Sequence, residues 1–353
     1  MVQPAISVCL SWPSEGEFEL DVDAIESVDS RIGIVTAPYR ESSARRAWRA
    51  RAPVAELRAE PGVVSDEYRA AIANAEVLLA RDVPIGLTEL APRLTWIQSV
   101  YSGVEHFRGA GIEDGGPIIT NAAGAGAASI AEFVIGRILM VWKGFREHEK
   151  LQQERTWSPA FGRSLTGSTL GVVGLGAIGT AVAARAHALG MKVRAVRQHP
   201  EKAGRPLFVD WVGGPEDLFD LLATCDVVVL SLPETVHTRA MISEEALDAM
   251  REGSVLCNIA RGALVDESAL IRALESGRLA AAILDVVIDE PLEIDSPLWT
   301  APNTYISAHC STSVDEYVSD VVDLFVENLT CYVANERLRN VVGRGSPTNG
   351  EEP

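Results

Sequence analysis

The sequence has 353 residues, 47% of them hydrophobic and 23% charged, an ordinary globular composition that excludes a disordered or fibrous chain. With 31 Lys and Arg against 49 Asp and Glu, the formal charge is −18. That charge repels phosphate backbones and anionic lipid, so neither nucleic acid nor a membrane surface is expected as a main partner. At about 150 residues per domain the length predicts two domains, each able to bury a core.

The start of the chain, residues 1–17, has no basic segment before its short apolar run and does not read as a signal peptide. Strand candidates follow at 5–10, 31–36, 76–80, 95–100 and 117–120, with helical stretches at 45–59 and 65–74 between them. That β-α-β rhythm predicts a parallel sheet. The stretch 122–142 is the most lipid-like, but it contains Glu132 and Arg137 and owes much of its apolarity to Ala and Gly, so it reads as a packed helix. Ile130, Phe133, Val134, Ile138 and Val141 recur at three and four, predicting one long helix over 127–153, a type of element that connects domains or forms a dimer interface.

A second β-α series starts at Ser168. Strands are predicted at 169–173, 192–196, 226–231, 254–259, 281–286 and 305–307, and helices from the glycines after 173 to Gly190 and at 215–223, 244–250, 267–276 and 314–334. The run Val227-Val228-Val229-Leu230 is apolar on both faces, as in a strand covered by helices on both sides. The tail from Gly343 is rich in Gly, Pro and acids and reads as frayed. Cys9, Cys225, Cys257, Cys310 and Cys331 are odd in number, widely spaced and without a C-x-x-C pair, which fits reduced thiols in a cytoplasmic protein; no metal site is visible.

The sharpest local signal is Gly174-Leu175-Gly176-Ala177-Ile178-Gly179, between an apolar strand and an Ala-rich helix. Gly174 makes the tight turn, Gly176 lets the backbone approach a pyrophosphate, and Gly179 lets helix and strand pack closely; the anion then meets the helix N-terminus. NAD proteins usually offer an acid to the ribose about 20 residues further on. Here no acid occurs from Gly174 to Pro200, and the stretch that follows the glycines carries Lys192, Arg194, Arg197, His199 and Lys202. Arg197, at the strand end, is placed to take a 2′-phosphate in a fork, so NADP(H) is expected in preference to NAD(H), against the alternative of a solvated basic loop with Glu201 on the ribose.

Three polar clusters stand at later strand ends: Asn258 to Asp266, Asp285 to Pro291, and Ser307-Ala308-His309. In an open parallel sheet such ends converge on the ligand crevice, where Arg261, Glu290 and His309 form a sufficient kit for reducing a 2-oxo acid. The Arg grips the carboxylate and polarises the carbonyl, the His protonates the developing alkoxide, and the Glu keeps the imidazole charged and oriented. Asp266 reads as the cap of the helix beginning near Glu267.

From about Glu76 to Val341 the sequence resembles the D-isomer-specific 2-hydroxyacid dehydrogenase family, in its glyoxylate/hydroxypyruvate reductase-like branch. The motifs, in order, are Trp96-Ile97-Gln98-Ser99 with Ser102-Gly103-Val104, Asn121 before Ala131-Glu132-Phe133, the glycine fingerprint, Leu232-Pro233 with Thr235 and Thr238, Arg261-Gly262, Asp285-Val286 with Glu290-Pro291-Leu292, and Ser296-Pro297-Leu298-Trp299. The resemblance implies two Rossmann/flavodoxin-like α/β parallel-sheet domains with an interdomain cleft. Residues 124–310 would bind NAD(P), and residues 1–123 with 311–353 would bind substrate.

It also implies Arg261 as the substrate-binding arginine, Glu290 and His309 as the acid/base dyad, and Asp285 on the nicotinamide carboxamide. Tyr101, Ser102, Gly103 and Val104 would hold the substrate carboxylate through backbone N–H groups, while Pro233, Thr238, Ala260, Arg261 and His309 would line the cofactor beside Gly174, Gly176, Ala177, Ile178 and Gly179. The expected activity is NAD(P)H-dependent reduction of a small 2-oxo acid such as glyoxylate or hydroxypyruvate to the D-2-hydroxy acid, by a homodimer built through 127–153. Competing readings are phosphoglycerate dehydrogenase, formate dehydrogenase, and a dinucleotide-sensing co-repressor-like binding protein without turnover. Two departures stand out. Relatives carry Thr-Pro-His where this chain has Ser307-Ala308-His309, followed by Cys310 and Ser311, and Arg197 replaces the usual acid.

Overall fold

In the computed structural model, which describes residues 6–12, 20–112, 116–201 and 204–344, the chain divides into two units. One is Met1–Ala125 with Val314–Pro353, and the other is Gly126–Ser313. The sequence split at 123/124 and 310/311 lies a few residues before each of these crossings. Lys202 and residues 345–353 lie outside the described residues, as does most of the start read for a signal peptide.

The first unit carries strands β1 (Ile6–Ser11), β2 (Ile32–Thr36), β3 (Val77–Ala80), β4 (Trp96–Ser99) and β5 (Ile118–Thr120), parallel in the order β5-β4-β3-β1-β2. Every residue of β3 and β4 is buried; β3 is an unbroken apolar run, whereas β4 buries the polar Gln98 and Ser99. Of the tail that the composition reads as frayed, only Gly343 and Arg344 are described, and they belong to a strand. Val341–Arg344 adds to the sheet antiparallel to β5, an edge pairing made by backbone groups that a four-residue segment does not announce in its pattern. The helical stretch expected over 45–59 is two helices, Ser43–Arg51 and Val54–Ala59, divided at Pro53, which has no N–H to continue the ladder. The last long helix, Val314–Val333, returns to this unit, where Phe325 stacks on Trp96 and buried Asn328 donates to Gln98 Oε1 (3.0 Å).

A buried ionic cluster ties the C-terminal ends of β2 and β3 to the segment around Arg108. Arg49 is fully buried; its Nη1 donates to Glu41 Oε1 (2.8 Å) and to the Val83 carbonyl, and its Nε and Nη2 donate to the Arg108 carbonyl. Asp82, also fully buried, accepts from the Glu41 N–H and from Arg46 Nη1.

The second unit opens on helices Ala127–Trp142 and Phe145–Gln153, not the single helix the periodicity predicts. The break falls at Gly144, whose φ of +67° is a left-handed helix terminator that apolar spacing does not register. Strands β6 (Thr169–Val173), β7 (Lys192–Val196), β8 (Trp211–Gly213), β9 (Val227–Leu230), β10 (Ser254–Asn258), β11 (Leu279–Leu284) and β12 (Thr304–Ile306) form an all-parallel sheet in the order β12-β11-β10-β9-β6-β7-β8. The three-residue β8 is not expected from the sequence. It is held by Arg194, whose guanidinium lies over the Trp211 ring and pairs with Asp220. Strand order reverses between β6 and β9, which makes their C-terminal ends the topological switch point. Among the described residues no helix is long and apolar enough to cross a membrane.

Because Arg49 and Glu41 are buried together, removing one leaves the other charged and dry. Arg49→Met should therefore cost about 3–5 kcal/mol, against less than about 1 kcal/mol for the exposed pair partner in Arg272→Ala, read as shifts of the urea unfolding midpoint.

Candidate active site

The glycine turn after β6 separates what the protein needs from what a ligand needs. Gly174 has φ +97°, and a Cβ there would sit 2.6 Å from the Ser231 carbonyl oxygen. A Cβ on Gly179 would fall 2.1 Å from the Gly174 carbonyl oxygen, so the helix packs onto the turn only through glycine. Gly176 differs: its φ is −85°, and a Cβ there would meet nothing within 4 Å. Neither conformation nor protein packing requires glycine at 176, whereas close approach of a pyrophosphate does. Helix Ala177–Ala188 starts there with no side-chain cap, so its first amides remain for an anion, and the half-buried Ile178 and exposed Ala177 form its first turn. The residues present therefore fit a dinucleotide.

Around this turn stand the other strand ends. Ser231, after β9, donates to the Gly174 carbonyl (2.7 Å) and braces the turn, a role the sequence does not reveal because a lone Ser at a strand end carries no signal. Pro233 begins a closed turn in which Thr238 Oγ1 donates to the Pro233 carbonyl and accepts from the Thr235 N–H. After β7, half-buried Arg197 donates through Nη2 to the carbonyls of Pro200 (3.2 Å) and Gly204 (3.3 Å), so its guanidinium lies within the loop that follows the strand. Elsewhere in the basic stretch, Arg194 packs on β8 and His199 lies 3.5 Å from Glu201.

Three further strand ends carry the acid/base residues. After β10, Asn258 accepts from the Ala260 N–H and donates to the Arg261 carbonyl, fixing an extended turn that leaves Arg261 half-buried and, among the described residues, without an ion pair. Gly262 lets the following turn pack on it, since a Cβ would lie 2.0 Å from the Val287 carbonyl carbon. Glu267 reinforces that contact by accepting from the Ile288 N–H (2.7 Å), and Asp266 caps the helix by accepting from the Ala269 N–H. Nothing in the sequence pattern singles out Glu267 for that contact.

The Glu290 carboxylate accepts from the Val287 N–H through Oε1, and its Oε2 lies 2.9 Å from His309 Nδ1. Both side chains are roughly half-exposed. The hydrogen bond to Glu290 is the main influence on the imidazole and raises its pKa against burial, while Arg261 opposes it. For Glu290, burial works upward, but the His309 hydrogen bond and charge, the Val287 N–H and Arg261 together bring the carboxyl below its ordinary value. The two directions agree on a charged pair. His309 Nε2 has no hydrogen-bond partner among the described residues. Asp285 is buried behind this group, and Ala260 is 8% exposed.

The loop after β4 lies in the other unit. Asn121 donates to the Ser102 carbonyl, the Tyr101 N–H is held by Ser99 Oγ, and the Ala122 N–H reaches the Tyr101 carbonyl. The amides of Ser102, Gly103 and Val104 have no protein acceptor among the described residues. Among the described residues no cluster of His, Cys, Asp and Glu could hold a metal.

The family model for the D-isomer specific 2-hydroxyacid dehydrogenase NAD binding domain matches residues 135–311, half of the chain. The D-3-phosphoglycerate dehydrogenase of Methanocaldococcus jannaschii is 31% identical over 295 residues, which is 82% of this chain but only 56% of that enzyme. The glyoxylate/hydroxypyruvate reductase B of Pectobacterium carotovorum is 32% identical over 260 residues, 71% of this chain and 80% of its own. A solved D-isomer specific 2-hydroxyacid dehydrogenase from Xanthobacter autotrophicus, in complex with NADPH and MES, has a TM-score of 0.75 at 25% identity, covering 96% of this chain and 98% of that one. The fingerprint turn, the Arg261, Glu290 and His309 group and these matches lead to one conclusion: the chain belongs to the D-isomer specific 2-hydroxyacid dehydrogenase family of NAD(P)-dependent oxidoreductases.

Proposed function

We propose that the protein reduces a small 2-oxo acid of the glyoxylate or hydroxypyruvate kind to the D-2-hydroxy acid, using NADPH in preference to NADH. The observation that carries the reading is the 2.9 Å pair of His309 and Glu290 at the end of the sheet whose neighbouring strand end bears Arg261. The Pectobacterium relative is named for that substrate class, and the Xanthobacter relative was solved with NADPH.

In this reading Gly126–Ser313 is the nucleotide unit. Gly174, Gly176, Ala177, Ile178 and Gly179 receive the pyrophosphate, Arg197 the 2′-phosphate, and Pro233, Thr238 and Ala260 line the nucleotide. The bound dihydronicotinamide supplies the hydride. Arg261 grips the substrate carboxylate and draws electron density toward the carbonyl oxygen. As negative charge grows on that oxygen, His309 delivers a proton from Nε2, the nitrogen without a partner among the described residues, while Glu290 holds Nδ1–H and stabilises the imidazolium until it is spent. The first unit, residues 1–125 with 314–353, supplies the substrate loop.

Two wider assignments belong to the same proposal. The protein is a homodimer through the helices of 127–153, a face beside which Trp157 and Phe161 stand almost fully exposed on the segment that follows. It works in the cytoplasm, where its five free thiols stay reduced.

Three measurements test the reading. NADPH oxidation with a panel of 2-oxo acids should fall about 10²- to 10⁴-fold in His309→Ala while the fold, followed by circular dichroism, persists; equal rates in the variant would sink the assignment. Reduction needs protonated His309, whose pKa is raised, so kcat/KM should be greatest at low pH and decline as pH rises through a value above the ordinary imidazole one. Glu290→Gln removes the cause of the elevation and should move the declining limb to lower pH. Arg197→Asp should lower kcat/KM for NADPH by about 10- to 100-fold and leave NADH equal or better, whereas an unchanged preference would exclude Arg197 as the phosphate reader.

A further inference from the structure

The turn that carries Glu290 is held at one peptide. Two carboxylates meet consecutive amides there: Glu290 Oε1 accepts from the Val287 N–H (3.3 Å), and Glu267 Oε1 accepts from the Ile288 N–H (2.7 Å). The Val287–Ile288 peptide also presses against Gly262, where a Cβ would lie 2.0, 2.2 and 2.3 Å from the Val287 carbonyl carbon, its oxygen and the Ile288 nitrogen. The residue after Arg261 thus covers this peptide, and Glu267 takes its N–H.

What supports Glu267 is itself fixed. Asp266 caps helix Glu267–Glu275 by accepting from the Ala269 N–H (2.9 Å), and its own N–H donates to the Ile242 carbonyl (3.0 Å). The Ile242 N–H donates in turn to the Leu264 carbonyl (3.0 Å), and Leu264, Val265 and Val287 share one apolar core. Val287 anchors the turn by its side chain, while the Ile288 N–H sets the direction in which the chain leaves for Glu290, two residues on. Burial raises the Glu267 carboxyl above its ordinary value, with Asp289 adding to the rise and the Ile288 N–H opposing it. A carboxylate serving only the helix N-terminus has no reason to leave solvent beside a second acid. We infer that Glu267 is a positioning residue: by holding the Val287–Ile288 peptide against Gly262, it sets the Glu290 turn in register with the Arg261 turn and keeps the Glu290 carboxylate on His309 Nδ1. The kinetic consequence rests on the reductase reading; the geometric one does not.

Three substitutions in the full chain separate this role from the one any acid plays at a helix start. Glu267→Ala removes the acceptor, Glu267→Gln keeps an acceptor oxygen at the same reach without the charge, and Glu267→Asp keeps the charge but withdraws it by one methylene. Should Glu267→Ala fold poorly, Glu267→Asp carries the comparison, because an acid in the first turn favours the helix. Nitrogen-15 NMR titration of the His309 imidazole, assigned with His309→Gln, reads its contact with Glu290 without requiring turnover. Glu290, Arg261 and Asp285 are the charged groups that act on that imidazole. Its midpoint should move down toward the ordinary imidazole value in Glu267→Ala and Glu267→Asp, and stay at the wild-type value in Glu267→Gln. With a 2-oxo acid that the wild type reduces, kcat should fall about five- to tenfold in the first two and return to within about twofold in Glu267→Gln. The NADPH Kd, from quenching of tryptophan fluorescence, should change less than about threefold in all three, since the bond removed is one within the protein. An unmoved His309 titration in Glu267→Ala and Glu267→Asp overturns the assignment. So does a midpoint shifted as far in Glu267→Gln as in Glu267→Ala, which would trace the effect to charge at the helix start. A wild type that turns over no 2-oxo acid fails the reductase reading alone, and the titration still judges Glu267.

Discussion

In a fully parallel sheet every strand ends on the same edge, so loops far apart in the sequence must meet there. In Gly126–Ser313 that edge collects the turns after β6, β7, β9, β10, β11 and β12, spanning Gly174 to His309. The central strands are largely apolar, and most of the site's polar residues stand in the first few positions beyond each strand. Arg261, Asp285 and His309 each stand within three residues of a strand end. The edge also gathers carbonyls that need donors, and that need explains why so many of its polar groups bond to one another: Ser231 to Gly174, Asn258 to Arg261, and Asp285 to the turn of 307–311.

Two kinds of residue share this edge, and their hydrogen bonding separates them. One kind is saturated. Asp285, Asn258, Ser231 and Glu267 spend their polar atoms on neighbouring backbone, and burying them is tolerable because the bonds are made. The other kind keeps something open: the uncapped first turn after Gly176, the Arg261 guanidinium without an ion pair among the described residues, and His309 Nε2. Pre-organisation needs both kinds, since an open donor is useful only if the backbone beneath it does not move. The contact of Gly262 with the Val287 carbonyl serves the same end by fixing the Glu290 turn directly on the turn that bears Arg261.

Much of this could be read from the residues alone, because apolar runs, glycine spacing and polar clusters at strand ends are local signals. The strands from β6 to β12 fall within a few residues of their expected positions, apart from β8. What the residues alone do not show is non-local or depends on backbone. Gly144 ends a helix whose apolar spacing continues past it, and Pro53 divides another. Strand β8 and Val341–Arg344 are too short to carry a period, and they exist because an edge had unpaired backbone groups to offer. The hydroxyl of Ser307 and the carboxylate of Glu267 look like ordinary loop and helix residues in the sequence, since their partners are 22 and 21 positions away.

The acidity of the chain gains meaning at the same edge. A protein with formal charge −18 carries at this edge a guanidinium without an ion pair among the described residues, uncapped amides and a raised imidazole that is hydrogen-bonded to Glu290. Were Asp285 solvent-facing, a second carboxylate beside Arg261 and His309 would lower the attraction for an anionic substrate. Its charge is instead spread over three hydrogen bonds to the turn behind His309. Glu290 raises the imidazole through its hydrogen bond, and Asp285 raises it further by charge while bonding the turn that carries it.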